Sequence, residues 1–341
     1  MQKLDLRSMK LDEIEELIKE LGLPKFRAKQ LYKWLQKGAQ SFDEMTDLSK
    51  PLRQQIAERG YIANAQIEAK FCSKLDETVK YLFKLNDGLF IESVLMKYNH
   101  GYSICISTQV GCRMGCSFCA STIDGLERSL TASEMLAQIM SAERDMNIRI
   151  SNVVLMGMGE PFDNYDSVLR FLQLVGEEDG LNIGMRHISL STCGRVDGIY
   201  ELMEHKLQLT LSISLHAPND EIRTRIMPIN KKYGVDELLK ACKDYIAATG
   251  RRISFEYAMI KDVNDTDKCA DELISKLKGM LCHINLIPAN EVRENDYKRT
   301  DNDRLQRFKQ RLEKGGMNVT VRRTLGADIS ASCGQLRQRY K

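Results

Sequence analysis

The strongest constraint on the fold is a regular alternation of strand-like and helix-like stretches that begins near residue 98 and continues towards the end of the chain. Strands are expected at 102–107, 151–157, 187–192, 208–215, 252–259, 282–287 and 318–323, and helices at 131–146, 164–175, 196–205, 235–248, 266–278 and 301–315. Alternation of this kind predicts a parallel α/β sheet or barrel. The strands also have a polar side. In QLTLSISLH, Leu209, Leu211, Ile213 and Leu215 take one face and Thr210, Ser212, Ser214 and His216 the other. RHISLST sets Ile188 and Leu190 against Ser189 and Ser191, and CHINL sets Ile284 and Leu286 against His283 and Asn285. RISFEYA sets Ser254, Glu256 and Ala258 against Ile253, Phe255 and Tyr257. An ordinary eight-stranded barrel fills its interior with branched apolar side chains. Here the apolar face is assigned to the surrounding helices and the polar face to a cavity. The competing arrangement, an antiparallel sheet with one solvated face, fits the intervening helices less well.

Two smaller regions precede this core. Residues 1–60 read as a small helical domain, in which Leu11–Leu21 has helical spacing and LGLP ends that helix and opens the next. The second helix, Pro24–Gly38, carries Lys25, Lys29, Lys33 and Lys37 along one drifting stripe, with Leu31, Trp34 and Leu35 on another face. The stripe fits an RNA contact and plain solvation equally. Residues 61–97 read as an extended connecting segment, where Phe90, Glu92, Val94 and Met96 share a strand face. Glu92 is a carboxylate among apolar neighbours, so it either points to solvent or has its proton affinity tuned.

Residues 98–341 form the expected core with a basic C-terminal extension. Residues 293–341 carry thirteen Lys or Arg and six acids, a net +7 within a chain of net +3. That excess suits a polyanionic partner or marks a solvated helix face. With 43% hydrophobic and 28% charged residues, the 341-residue chain is neither disordered, collagenous nor a coiled coil. It has no apolar run of membrane-spanning length and no signal-peptide core at MQKLDLRSMK, so a soluble cytoplasmic protein without a membrane partner is expected.

The chain has 10 cysteines, and three of them fall in GCRMGCSFC as Cys112-x3-Cys116-x2-Cys119. Structural zinc takes four ligands. No second C-x-x-C pair follows, and His100 and His187 lie outside ordinary finger spacings. An iron–sulfur cubane takes one thiolate per iron, so three thiolates leave one iron open to a small molecule. Gly111 and Gly115 let the backbone curl around such a core. The loop follows the first core strand, at the usual active-site end. The second strand runs into GMGEP, Gly157–Pro161, where glycines allow close backbone approach and Glu160 can accept from a ligand ammonium. A lone G-x-G often marks only a turn; it gains force here by lying at the same end as the cysteines.

A C-x3-C-x2-C loop after the first strand and a GxGE loop after the second resemble the radical SAM superfamily. QVGCRMGCSFCAST, MGMGEP, LSTCG, SLHAPNDEIR, MPINKKY and CGQL together resemble its RlmN/Cfr family of RNA adenine methyltransferases, over about residues 90–337. The resemblance implies a partial (β/α)6 radical SAM barrel with a small N-terminal helical domain. It implies a [4Fe–4S] cluster on Cys112, Cys116 and Cys119, with S-adenosylmethionine on the open iron. Gly159, Glu160, Ser191, Ser214, Leu215, His216 and Asn285 match the positions that hold S-adenosylmethionine. Cys333 matches the cysteine that becomes methylated and delivers the carbon. Cys105 matches the cysteine that resolves the adduct through a transient disulfide with Cys333, and Glu92 the proposed proton acceptor.

Adenine carbons 2 and 8 are electron-poor and cannot displace a sulfonium methyl as nucleophiles, which is why such machinery is needed. In the family one S-adenosylmethionine methylates the cysteine, and a second is cleaved to a 5′-deoxyadenosyl radical that takes hydrogen from the S-methyl group. The implied substrates are 23S rRNA, at an adenosine of the peptidyl-transferase centre, and tRNA, at the adenosine 3′ of the anticodon. Methylation at C2 is the expected outcome and C8 methylation the alternative. A non-catalytic metal-binding RNA-binding module is a third reading. A flavodoxin-like electron donor and a monomeric state complete the expectations. One departure is visible: the family often reads D-A-A-C-G-Q, whereas this chain has Ser330-Ala331-Ser332-Cys333-Gly334-Gln335, so a contact from an acid at position 330 is in doubt.

Overall fold

The structure, a computed structural model, describes residues 3–290, 296–332 and 334–335. Ten strands make one sheet: β1 (Gln66–Cys72), β2 (Val79–Lys84), β3 (Phe90–Tyr98), β4 (Gly101–Cys105), β5 (Ile150–Leu155), β6 (Ile188–Thr192), β7 (Thr210–Ser214), β8 (Ile253–Met259), β9 (Cys282–Pro288) and β10 (Val319–Val321). Each strand lies beside its sequence neighbour. From β1 to β4 the pairing is antiparallel, and from β4 to β10 it is parallel. A parallel neighbour requires a crossover. The six crossovers carry α4 (Ala132–Met146), α5 (Tyr165–Val175), α6 (Val196–Glu204), α7 (Asp220–Ile226) with α8 (Val235–Thr249), α9 (Asp267–Leu277) and α10 (Asn302–Lys314). Six β/α units capped by a short seventh strand match the partial barrel expected from the motifs.

The helix boundaries have local causes. Thr131 accepts from the Glu134 backbone while Glu134 reaches back, a reciprocal cap that starts α4. Thr266 and Asp301 cap α9 and α10 with simpler one-way bonds, their hydroxyl and carboxylate oxygens accepting from the backbones of Cys269 and Arg304. The apolar strand face behaves as read from the sequence: Leu209, Leu211, Ile213 and Leu215 are buried in the main core.

Residues 66–98 are not a loose connection. They are β1–β3, paired edge to edge with the barrel through β3–β4, where Val94 sits opposite Cys105. Residues 73–78, between β1 and β2, also hold the chain near the C-terminus. Asp328 accepts from the Ser73 hydroxyl and the Lys74 backbone, and Gly326 donates to Asp76.

The N-terminal helices α1 (Leu11–Glu20), α2 (Phe26–Gln36) and α3 (Lys50–Arg59) surround a separate core that includes Leu6, Ile14, Ile18, Leu31, Leu35 and Ile56. Arg7 is buried there and donates to the carbonyls of Leu35, Ala39 and Ala63. Arg170 on α5 grips Glu13 of α1 with two bonds of 2.8 and 2.9 Å. Lys25, Lys29, Lys33 and Lys37 are all exposed, opposite buried Leu31 and Leu35. Trp34 is only half-buried: its indole donates to Asp47 rather than packing fully inward. No helix among the described residues is long and apolar enough to cross a membrane.

Candidate active site

The cysteine loop is mounted on a hairpin that periodicity did not reveal. Gln109–Gly111 pairs antiparallel with Leu126–Ser129, and the turn between them carries all three cysteines. Gly111 has φ +78°, and a Cβ there would lie 2.0 Å from the Gly125 carbonyl oxygen, so no larger residue fits. That closeness lets Cys112 donate its N–H to Gly125 at 2.8 Å. The Thr122 hydroxyl spans the carbonyls of Cys119 (3.0 Å) and Cys116 (3.3 Å) and closes the far end of the turn.

Cys112, Cys116 and Cys119 all line one cleft at the carboxyl ends of the strands, with Gly159, Glu160, Ser191, Ser214 and His216. Burial pushes the Cys112 thiol up to about 12 and the Cys116 thiol well above its ordinary value, and the neighbouring cysteines raise each further. Two buried thiols that resist ionisation, with the half-buried Cys119 beside them, are a poor nucleophile set. They suit a cationic centre, which deprotonates a thiol on binding. Among the described residues no group of His, Cys, Asp and Glu is placed as for a single metal ion. A cubane spreads its ligands, one thiolate to each iron, so this donor set fits a [4Fe–4S] cluster.

The GMGEP loop shows what its glycines do. A Cβ at Gly157 would lie 2.5 Å from the Ile106 carbonyl, and one at Gly159, where φ is +102°, 2.6 Å from Gln109. Their close approach is therefore to the chain entering the cysteine loop. Gln109 cements it by accepting from the Glu160 backbone at 2.9 Å. Glu160 is buried, and its two carboxylate oxygens accept from the backbones of Phe162 (3.1 Å) and Cys193 (2.7 Å). Burial raises its pKa despite those bonds.

His216 ends β7 in a left-handed conformation, φ +55°. Ala258 donates its backbone N–H to Nδ1 at 2.9 Å, so Nδ1 carries no proton and Nε2 does. Burial lowers the His216 pKa to about 3, with a smaller contribution from Arg223. The ring is thus a fixed neutral donor beside Phe118, which meets it edge-on at 5.0 Å.

Leu215 and Asn285 do not line the cleft. The Leu215 side chain is buried in the apolar core, and its backbone donates to the Glu256 carbonyl. Asn285 donates to Glu256 Oε2 at 2.7 Å, while Ser254 donates to Oε1 at 2.9 Å. Glu256 itself, on the polar face of β8, does line the cleft. The sequence reading placed Glu256 on that face without giving it a role; an acid facing a cavity from an otherwise apolar strand was the available signal.

Glu92 and Cys105 also lie outside this cleft. Glu92 is buried on β3, and Lys80 on β2 approaches its Oε1 at 3.2 Å. The Lys80 ammonium also donates to the Ser330 carbonyl at 3.4 Å. Lys80 was missed, because nothing within VKYLFK distinguishes a buried lysine from an exposed one. Cys105 shares the inward face, opposite Val94 and one pair along from Glu92. A smaller recess bounded by Met96, Arg322, Ala331 and Ser332 adjoins the cleft through Ile287, Asn290 and Arg322. Cys333 lies outside the described residues. Its neighbours bracket the two sites: Ser332 lines the recess, Gly334 lines the cleft, and the Gly334 carbonyl accepts from Ala120 at 2.8 Å. No disulfide joins the described cysteines, and the expected Cys105–Cys333 pairing involves a residue outside them.

Comparison with known proteins agrees with this architecture. A family model described as the radical SAM superfamily matches residues 106–273, and one described as the ribosomal RNA large subunit methyltransferase N-terminal domain matches residues 4–62. The chain is 56% identical over 340 residues to the probable dual-specificity RNA methyltransferase RlmN of Alkaliphilus oremlandii, covering 100% of this chain and 99% of that one. It is 54% identical to the protein of the same name from Clostridium novyi, over 97% of this chain and 96% of the other. The crystal structure of a radical SAM methyltransferase from Sphaerobacter thermophilus superposes with a TM-score of 0.95 at 43% identity, covering 98% of this chain and 100% of that one. Likeness at this level along the whole length shows that this chain belongs to the RlmN family of radical SAM RNA methyltransferases.

Proposed function

We propose that this protein methylates carbon 2 of adenosine in 23S rRNA, at the peptidyl-transferase centre, and in tRNA, at the adenosine 3′ of the anticodon. The observation that carries the reading is the full-length identity of 56% to a protein named for dual-specificity RNA methylation, together with a three-cysteine cleft beside the chain segment that bears Cys333. Cys112, Cys116 and Cys119 would hold the [4Fe–4S] cluster. Bound there, it supplies the electron that cleaves S-adenosylmethionine.

The chain's own residues divide the remaining work. Glu160 and Ser191 offer acceptors to the ammonium of S-adenosylmethionine, and His216 offers a neutral N–H donor. Gly159 and Ser214 shape the wall of the same cleft. Leu215 and Asn285 act at one remove, through the Glu256 backbone and carboxylate. Cys333 carries the methyl group, Glu92 accepts a proton from the adduct, and Cys105 forms the disulfide with Cys333 as the base leaves. Residues 1–60, with their exposed lysine stripe, form the RNA-binding unit, and residues 61–97 join it to the catalytic core of 98–341. A flavodoxin-like protein supplies electrons to a monomeric, cytoplasmic enzyme.

The test is mass spectrometry of nucleosides from rRNA and tRNA of cells with and without the gene. The reading predicts 2-methyladenosine in both RNAs only when the gene is present. Appearance of 8-methyladenosine instead would replace this reading with the C8 activity.

A further inference from the structure

The helix α7 carries Arg223, whose side chain is fully buried. Its Nε donates to the Leu215 carbonyl at 3.1 Å and its Nη1 to Asn230 Oδ1 at 3.0 Å. Its Nη2 donates to the carbonyls of Cys193 (2.6 Å) and Ser214 (3.2 Å). Every acceptor is neutral. Among the described residues, the guanidinium forms no ion pair with a carboxylate. Asp220, on the same helix, adds an electrostatic attraction but no bond: its Oδ1 accepts from the Asn230 amide at 2.9 Å and from the Val235 backbone.

A buried cation without a counter-charge is strongly unfavourable, and hydrogen bonds to neutral oxygens only partly offset its lost hydration. The missing negative charge has an evident location. Cys193 and Ser214, whose carbonyls hold Nη2, line the cleft together with Cys112, Cys116 and Cys119, so the guanidinium stands directly behind the cleft wall. The Ile226 carbonyl, at the end of the same helix, accepts from the Ser117 backbone at 3.0 Å, so α7 braces the cysteine loop directly. Behind the guanidinium the packing is tight: a Cβ on Gly194 would meet Nη2 at 2.8 Å.

We propose that Arg223 is the built-in counter-charge of the iron–sulfur site, a positioning residue that ties the ends of β6 and β7 together and, through its fixed positive charge behind the wall of the cysteine cleft, makes the bound cluster easier to reduce. The inference rests on the assignment of a cluster to Cys112, Cys116 and Cys119. Three thiolates leave the loaded site anionic, and reduction adds a further negative charge. Net charge and burial set the potential of such centres, so a fixed cation behind the cleft wall favours the reduced state. A residue that served only to hold the loops would have no such effect, because a neutral donor in the same place would suffice.

The experiment is an EPR-monitored redox titration, with iron and sulfide analysis, of anaerobically reconstituted wild type, R223Q, R223K and N230D. R223Q removes the charge, and R223K keeps it while losing the four-way hydrogen bonding. N230D keeps Arg223 but puts a carboxylate where the Asn230 oxygen now accepts at 3.0 Å, which neutralises the field without removing the guanidinium. The expected result is that R223Q and N230D are each reduced about tenfold less favourably than wild type, about 59 mV more negative for a one-electron couple. R223K should remain near wild type. An unmoved midpoint in a fully loaded R223Q or N230D overturns the inference, as does a shift in R223K equal to that in R223Q. A wild-type protein that takes up no iron and sulfide overturns the cluster assignment and this inference with it.

Discussion

The cysteine cleft and the surroundings of the buried Lys80–Glu92 pair are assembled in opposite ways. The cleft is made from compact sequence stretches: the cysteines span eight residues, and the GMGEP loop that supports them locks on through glycines too crowded to carry a side chain. The second region brings Lys80 and Glu92 together from antiparallel strands and ties them to Ser330 of the tail, across 250 residues in the case of the Lys80–Ser330 bond. One region is held by backbone geometry, the other by a buried ion pair and side-chain anchors such as Asp328 and Asp76. On the proposed assignment the division separates the cluster site from the segment that bears Cys333, so damage to each should give a different phenotype.

The largest contrast should come from cysteine variants. Cys116→Ala should abolish iron binding and formation of 5′-deoxyadenosine together. Cys333→Ala should keep the cluster and the capacity to form 5′-deoxyadenosine yet give no methylated RNA by mass spectrometry. Methylation retained by Cys333→Ala would remove the functional distinction between the two regions. Within the loop, Gly111→Ala should lose most of its iron on reconstitution because the new methyl group collides with the Gly125 carbonyl. Gly115→Ala, with φ +70° but only Pro228 within 4 Å of the new atom, should load normally and lose about 1 kcal/mol from backbone strain. Equal iron content in the two variants would show that the crowding at Gly111 is not what shapes the loop.

On the other side, Lys80→Met removes the ammonium that pairs with the buried Glu92 carboxylate and should destabilise the protein by about 3 kcal/mol in chemical denaturation, with cluster content retained. A change below about 1 kcal/mol would place this pair with weakly coupled surface ion pairs.

A further contrast concerns pH. His216 has its pKa lowered by burial to about 3, against an ordinary value of 6.5. The unfolded chain therefore binds the proton first as pH falls. The stabilising contribution is complete above 6.5 and is lost progressively between 6.5 and about 3. Within that window His216→Asn should flatten the fall in unfolding free energy by up to about 1.4 kcal/mol per pH unit. Identical slopes for the two proteins would contradict the buried neutral ring.

Much of the core was legible because its signals are local. Helix caps such as Thr131 and Asp301 sit beside apolar periodicity, so α4 and α10 fall within one residue of the expected starts and ends. The polar strand faces could be read because side chains alternate along any strand. Pairing between strands is different, since it depends on partners chosen by the whole sheet. The small hairpin under the cysteines and the docking of β1–β3 onto the barrel were hidden for that reason. Individual buried charges were also hidden. Lys80, Glu256 and Arg223 look like ordinary polar residues until their partners Glu92, Asn285 and the carbonyls of Cys193, Ser214 and Leu215 arrive from other elements.

The most direct test of the central claim uses oxygen-protected protein reconstituted with iron and sulfide and examined by EPR before and after S-adenosylmethionine is added. The account predicts about four irons and four sulfides per chain, and a reduced-cluster spectrum that changes on addition because the cofactor occupies an iron left open by three thiolates. A colourless protein without sulfide, or a cluster whose spectrum ignores S-adenosylmethionine, would contradict it.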